Sequence, residues 1–160
     1  MRSSSCDNPV GEWRTESPSA TEQLAASLAQ QLLPDTAILL QGALGAGKTT
    51  FVRGFARALG ISEPIRSPSF ALIYEYTIRR PETLKGLPLF HIDLYRLQNP
   101  NEVATLGLDE LMERESIVLV EWPERLEAMP YPLNPQNLWQ IRFTVLPDET
   151  RHIAWFRLEP

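Results

Sequence analysis

The chain has 160 residues, 43% apolar and 22% charged, with a net charge of −5, which gives one domain with a core of its own and argues against a protein that grips nucleic acid through a basic surface. Its one cysteine, Cys6, excludes an intrachain disulfide and fits a reducing compartment. No apolar run reaches the roughly 18 residues of a membrane span, and the Ser-rich start lacks the apolar stretch of a signal peptide, so the expectation is a soluble cytoplasmic protein away from membranes.

Residues 1–16 read as a flexible leader, and 17–160 as one domain. Ser19-Ala20-Thr21-Glu22 has the spacing of a capping box. Leu24, Leu28 and Leu32 follow at four-residue steps, one apolar helix stripe that Pro34-Asp35 ends. Residues 37–40 form a continuous apolar run, the signature of a strand covered on both faces. A glycine-rich loop over 42–47 leads into a helix over 48–59, with Gly60 as its stop. Phe70, Leu72, Tyr74, Tyr76 and Ile78 alternate as a strand, and 89–94 is a second strand expected to pair with it as a hairpin. Short helices are expected over 102–106 and 108–112, split at Gly107. Residues 117–120 are again continuously apolar. A helical turn over 123–129 precedes a loop stiffened by Pro130, Pro132 and Pro135. Residues 139–146 and 152–158 alternate around the turn Pro147-Asp148-Glu149-Thr150, a C-terminal β-hairpin. The sum is a three-layer α/β domain of P-loop NTPase type with a mixed central sheet.

Gly42-Ala43-Leu44-Gly45-Ala46-Gly47-Lys48-Thr49 matches G-x-x-x-x-G-K-[ST] at every defined position, between an apolar strand and a helix as its chemistry requires. The glycines Gly42, Gly45 and Gly47 let the backbone wrap phosphate closely. The loop N–H groups, that of Ala46 included, and the positive end of the helix face an anion. Lys48 is expected to reach the β- and γ-phosphates, the Thr49 hydroxyl to ligate Mg²⁺, and Thr50 to donate near the α-phosphate. The implied ligand is ATP with magnesium.

Magnesium favours oxygen ligands and commonly takes one or two carboxylates. Ligands of α/β sheets sit beyond the carboxyl ends of strands. Two acids stand there: Asp93 after Leu89-Phe90-His91-Ile92, and Glu121 after Ile117-Val118-Leu119-Val120, placed like a Walker B acid. Spacing alone leaves open which of them touches the metal. His91 shares a strand face with Asp93 and reads as structural before catalytic. Trp122 reads as core or cleft wall, and Arg53 and Arg57 as a solvated helix face. Ser67-Pro68-Ser69-Phe70 reads as a Pro turn or as a loop sensing the γ-phosphate.

These strings, with His91-Ile92-Asp93-Leu94-Tyr95-Arg96-Leu97 and Val120-Glu121-Trp122-Pro123-Glu124 in this order, resemble the TsaE family over about residues 17–125. That family is the bacterial ATPase component of the machinery making threonylcarbamoyladenosine at position 37 of tRNAs. The resemblance implies that Thr49 and Glu121 hold Mg²⁺ and that Asp93 orders the γ-phosphate or the attacking water. It implies TsaD and TsaB as partners, with tRNA met only through their complex. Ser69 stands where the family usually has Thr, and Ala43 where an acid is common.

A GTPase is disfavoured, since the chain has no N-K-x-D string and Arg96 stands where a D-x-x-G switch needs glycine. A small-molecule kinase needs an arginine-rich lid, which 125–160 does not offer. A nucleotide-gated interaction module with negligible hydrolysis shares the same site, and only turnover separates it from an ATPase. No arginine is clearly placed at the γ-phosphate: Arg96 is expected to face away, and Arg151 is a weak candidate.

Overall fold

The computed structural model describes residues 8–65, 73–97, 107–125 and 137–158. Among them, strands β1 (Gly11–Thr15), β2 (Thr36–Gly42), β3 (Ile73–Thr77), β4 (Pro88–Asp93), β5 (Ile117–Glu121), β6 (Asn137–Val145) and β7 (Arg151–Leu158) form one sheet in the order β1-β7-β6-β2-β5-β4-β3. The centre, β6-β2-β5-β4, is parallel; β3, β7 and β1 add antiparallel edges. The sheet is therefore mixed and the C-terminal hairpin is present.

The continuous apolar runs of β2 and β5 follow from their central place, buried on both faces. Ile38, Leu40, Ile117 and Leu119 project into one cluster with Phe51 and Phe55, while Ala37, Val118 and Val120 project into another with Phe90 and Ile92. Helices α1 (Pro18–Ala29) and α2 (Lys48–Ala58) cover the first face, through Ala25, Leu28, Phe51 and Phe55. The short α3 (Leu108–Glu113) sets Leu111 against the second, which completes three layers. A 3-10 turn spans Pro123–Arg125.

Several expectations need correction. Residues 11–15, assigned to the leader, form β1, whose Trp13 packs against the core while Arg14 donates to Thr150 and pairs with Asp148. The capping residue of α1 is Ser17, not Ser19: its hydroxyl accepts from Ala20 N at 3.0 Å, with Pro18 in the first turn. Glu22, freed from capping, faces Arg57 at 3.2 Å and Arg53 at 3.9 Å, so those arginines tie α2 to α1 rather than forming a purely solvated face. Helix α1 stops at Ala29, before Pro34. The expected helix over 102–106, the loop of Pro130, Pro132 and Pro135, and Ser67-Pro68-Ser69-Phe70 lie outside the described residues.

Candidate functional site

The carboxyl ends of the parallel strands converge on the start of α2. Strand β2 runs into the glycine loop. Gly42 lies against β6, where a Cβ would come within 2.9 Å of Phe143 Cβ and its carbonyl oxygen. Gly45 and Gly47 hold φ of 80° and 105°, a left-handed backbone that L side chains rarely adopt. Gly47 is the N-cap of α2 and supplies no side-chain cap. The first N–H groups of a helix have no intrahelical partner, so this terminus suits an anion.

Strands β4 and β5 bring the two acids side by side, with Asp93 in register with Glu121. Leu94 N–H donates to the Glu121 carbonyl at 3.1 Å and locks the two strand ends together. The Thr49 hydroxyl donates to Glu121 Oε1 at 3.4 Å. The other oxygen, Oε2, lies 2.6 Å from His91 Nε2. Asp93 Oδ1 accepts from Tyr95 N–H at 3.0 Å, so Asp93 both turns the chain after β4 and borders the site. All three polar residues Asp93, Glu121 and His91 are buried.

Lys48 is buried too. Its ammonium donates to the Gly42 carbonyl at 2.6 Å and sits 3.6 Å from the centroid of the Trp122 ring. Burial pulls its pKa below the ordinary lysine value, opposed by the negative charges of Glu121, Glu124 and Asp93. Trp122 adopts φ of 60°, costly for a bulky side chain. Its indole meets Tyr95 with 5.0 Å between ring centroids. Together Lys48, Thr49, Thr50, Asp93, Tyr95, Arg96, Glu121 and Trp122, with Leu44, Gly45 and Gly47, line a cleft of ≈ 460 Å³.

The structure thus brings the loop, Thr49, Asp93 and Glu121 to one place. Ala46 is buried behind the loop, its N–H donating to the Ala43 carbonyl at 3.0 Å. Arg96 lines the cleft and does not face away, because residues 94–97 turn back at the end of β4. Arg151 reaches the outside of the loop, donating to the Gly45 carbonyl at 3.3 Å. The sequence reading missed the contact of Trp122 with Lys48 and the pairing of His91 with Glu121. The first had no spacing signal. The second was legible only as the shared face of His91 and Asp93. An oxygen donor set beside a phosphate-shaped backbone can bind a phosphorylated ligand and polarise it.

Comparison with known proteins supports this fold. A family model described as threonylcarbamoyl adenosine biosynthesis protein TsaE matches residues 15–153. A Bacillus subtilis protein named tRNA threonylcarbamoyladenosine biosynthesis protein TsaE is 39% identical over 145 residues, covering 90% of this chain and 84% of the relative. A Synechocystis protein of the same name is 47% identical over 115 residues, 69% of each chain. The crystal structure of Bacillus subtilis YdiB superposes with a TM-score of 0.72 at 34% identity, covering 93% of this chain and 86% of that one.

Proposed function

The chain belongs to the TsaE family, and on that premise we propose that it is a Mg²⁺-dependent ATPase serving tRNA threonylcarbamoyladenosine biosynthesis. One observation carries the reading: the Thr49 hydroxyl at the head of α2 and the Glu121 carboxylate at the end of β5 meet at 3.4 Å beside a loop shaped for phosphate. These are hard oxygen donors, one hydroxyl and one carboxylate, a set that suits Mg²⁺ sharing its remaining positions with phosphate and water. When bound, the ion supplies positive charge to the phosphate oxygens.

The chain's own groups do the rest. The N–H groups of Gly45 and Gly47 and the Thr50 hydroxyl hold phosphate oxygens, joined by that of Ala46 once it leaves the Ala43 carbonyl, with Gly42 setting the loop against β6. Lys48 exchanges the Gly42 carbonyl and the Trp122 face for the β- and γ-phosphates. Asp93, level with Glu121 across the strand pair, orients the attacking water or the γ-phosphate. The partners proposed on family grounds are TsaD and TsaB, with tRNA reached only through them; the net charge of −5 supports that indirect role. Among the described residues no helix is long and apolar enough to cross a membrane, and the proposed place of work is the cytoplasm.

Calorimetry with ATP and Mg²⁺ tests the reading. The wild-type chain binds, and Lys48→Ala loses binding because the one ammonium facing the phosphates is gone. Asp93→Ala and Glu121→Ala each lower hydrolysis by about 10²-fold or more, the usual cost of losing a charge-positioning group. Unchanged affinity in a folded Lys48→Ala variant removes the reading.

A further inference from the structure

His91 sits on β4 at the level of Leu119 on β5, two residues below the Asp93–Glu121 pair and on the same strand face. Its ring is fully buried, and its Nε2 lies 2.6 Å from Glu121 Oε2. The second ring nitrogen, Nδ1, is also buried and meets no hydrogen-bond partner among the described residues. A proton on Nδ1 would be a buried donor without an acceptor, which is costly. The ring therefore carries its proton on Nε2 and donates it to Oε2. With Oε2 so engaged, Oε1 is the oxygen turned toward the Thr49 hydroxyl. Carboxylate rotation about its terminal bond is intrinsically soft, and this hydrogen bond removes that freedom.

We infer that His91 is a positioning residue: by holding Oε2 of Glu121 it fixes which oxygen faces the divalent cation. The inference rests on the proposed Mg²⁺ site and deepens it. Any buried imidazole N–H must find an acceptor, and here the acceptor is a carboxylate on the neighbouring strand. The ring spends its single donor on the very carboxylate that meets Thr49. Partners that orient metal-ligating groups typically change metal affinity by about 10–100-fold when removed.

The test measures, by calorimetry, the affinity of a non-hydrolysable ATP analogue across a series of Mg²⁺ concentrations and again in EDTA. In His91→Leu the Mg²⁺ concentration for half-maximal enhancement rises about 10–100-fold, while affinity in EDTA stays at the wild-type value. His91→Gln, whose amide nitrogen can stand where Nε2 stands, returns within a few-fold of wild type. A wild-type Mg²⁺ requirement in His91→Leu overturns the inference, and so does an equal loss in EDTA, which marks a packing role. If His91→Leu does not fold, His91→Gln against His91→Asn decides, since the shorter amide cannot reach Oε2; equal behaviour of the two overturns the inference. A wild-type chain indifferent to Mg²⁺ fails the proposed function itself. A Mg²⁺-dependent wild type beside an unaffected His91→Leu fails only the positioning role.

Discussion

Trp122 pays a conformational cost at φ of 60° to lay its indole over Lys48, 3.6 Å from ammonium to ring centroid. That contact makes the ring a reporter. On the proposed reading Lys48 leaves the ring when phosphates enter the loop, and an indole that loses a close cation changes its emission. The expected outcome is a fluorescence change on adding ATP with Mg²⁺ that vanishes in Trp122→Phe and in Lys48→Ala. The other three tryptophans do not compete, because none of them lines this cleft and two of them, Trp139 and Trp155, meet elsewhere with tilted rings, 5.1 Å between centroids. A Trp122-specific signal that stays flat at saturating nucleotide sinks the proposed movement of Lys48. At this scale the shape of the glycine loop and the place of Lys48 at the head of α2 were legible because the positive φ of Gly45 and Gly47 tolerates few residue types. The Trp122–Lys48 contact was not, since a left-handed tryptophan leaves no mark in spacing.

The elements divide in the same way. Strands β2 and β5 were legible because burial on both faces removes polar residues from them, and the C-terminal hairpin because its alternation brackets a turn. Strand β1 escaped: only Trp13 and Thr15 point inward, and its partner β7 begins at Arg151, far along the chain. The start of α1 was misplaced because Glu22, which suited a capping box, instead serves the α1–α2 contact. That contact is close. A Cβ on Gly54 would stand 2.5 Å from Glu22 Cα and from its carbonyl oxygen. An alanine in a helix is ordinarily worth about 0.5–1 kcal/mol over glycine, but overpacking of this kind costs about 1–3 kcal/mol. Gly54→Ala is therefore expected to lower the urea midpoint; a raised midpoint would mean the helices are free to separate. The turn of the terminal hairpin carries a pH signature. Asp148 accepts from the Thr150 hydroxyl at 2.6 Å and from Thr150 N–H at 3.1 Å, and pairs with Arg14. These contacts, the Thr150 hydroxyl first, hold its pKa below the usual 3.8. A carboxylate with a lowered folded pKa lends its support above the unfolded value, and that support is lost as pH falls through the folded one. The Thr150 amide resonance should move with a midpoint below 3.8, and Asp148→Asn should abolish the movement. A midpoint at or above that value contradicts the turn's hydrogen bonds.

For the whole molecule, the arrangement of the resting site bears on turnover. Lys48 is already satisfied by the Gly42 carbonyl and the Trp122 ring, and Glu121 by His91 and Thr49. On the proposed reading nucleotide displaces the Lys48 contacts and the Thr49–Glu121 hydrogen bond, while His91 keeps its hold on Glu121, and that exchange favours slow turnover. Phosphoryl transfer also gains about 10³–10⁵ in rate from an arginine on the transferring group. Arg151 is occupied on the outer side of the loop, at the Gly45 carbonyl. Arg96 is the arginine that lines the cleft itself, on the turn that follows Asp93. The expected outcome is that the isolated chain turns over well below the roughly 1–100 s⁻¹ of dedicated kinases, and that added TsaB and TsaD raise the rate at least about tenfold by bringing Arg96 onto the γ-phosphate, an effect within the range an arginine supplies. Arg96→Ala should then remove most of the stimulation by TsaB and TsaD. A steady-state assay of wild type and Arg96→Ala, each with and without the partner proteins, separates the cases. Stimulation that survives Arg96→Ala moves the activating charge to a partner. A lone chain already turning over in the kinase range and indifferent to TsaB and TsaD sinks the coupling altogether and favours a free-standing kinase, whose acceptor substrate would then have to enter the same cleft beside Tyr95 and Trp122.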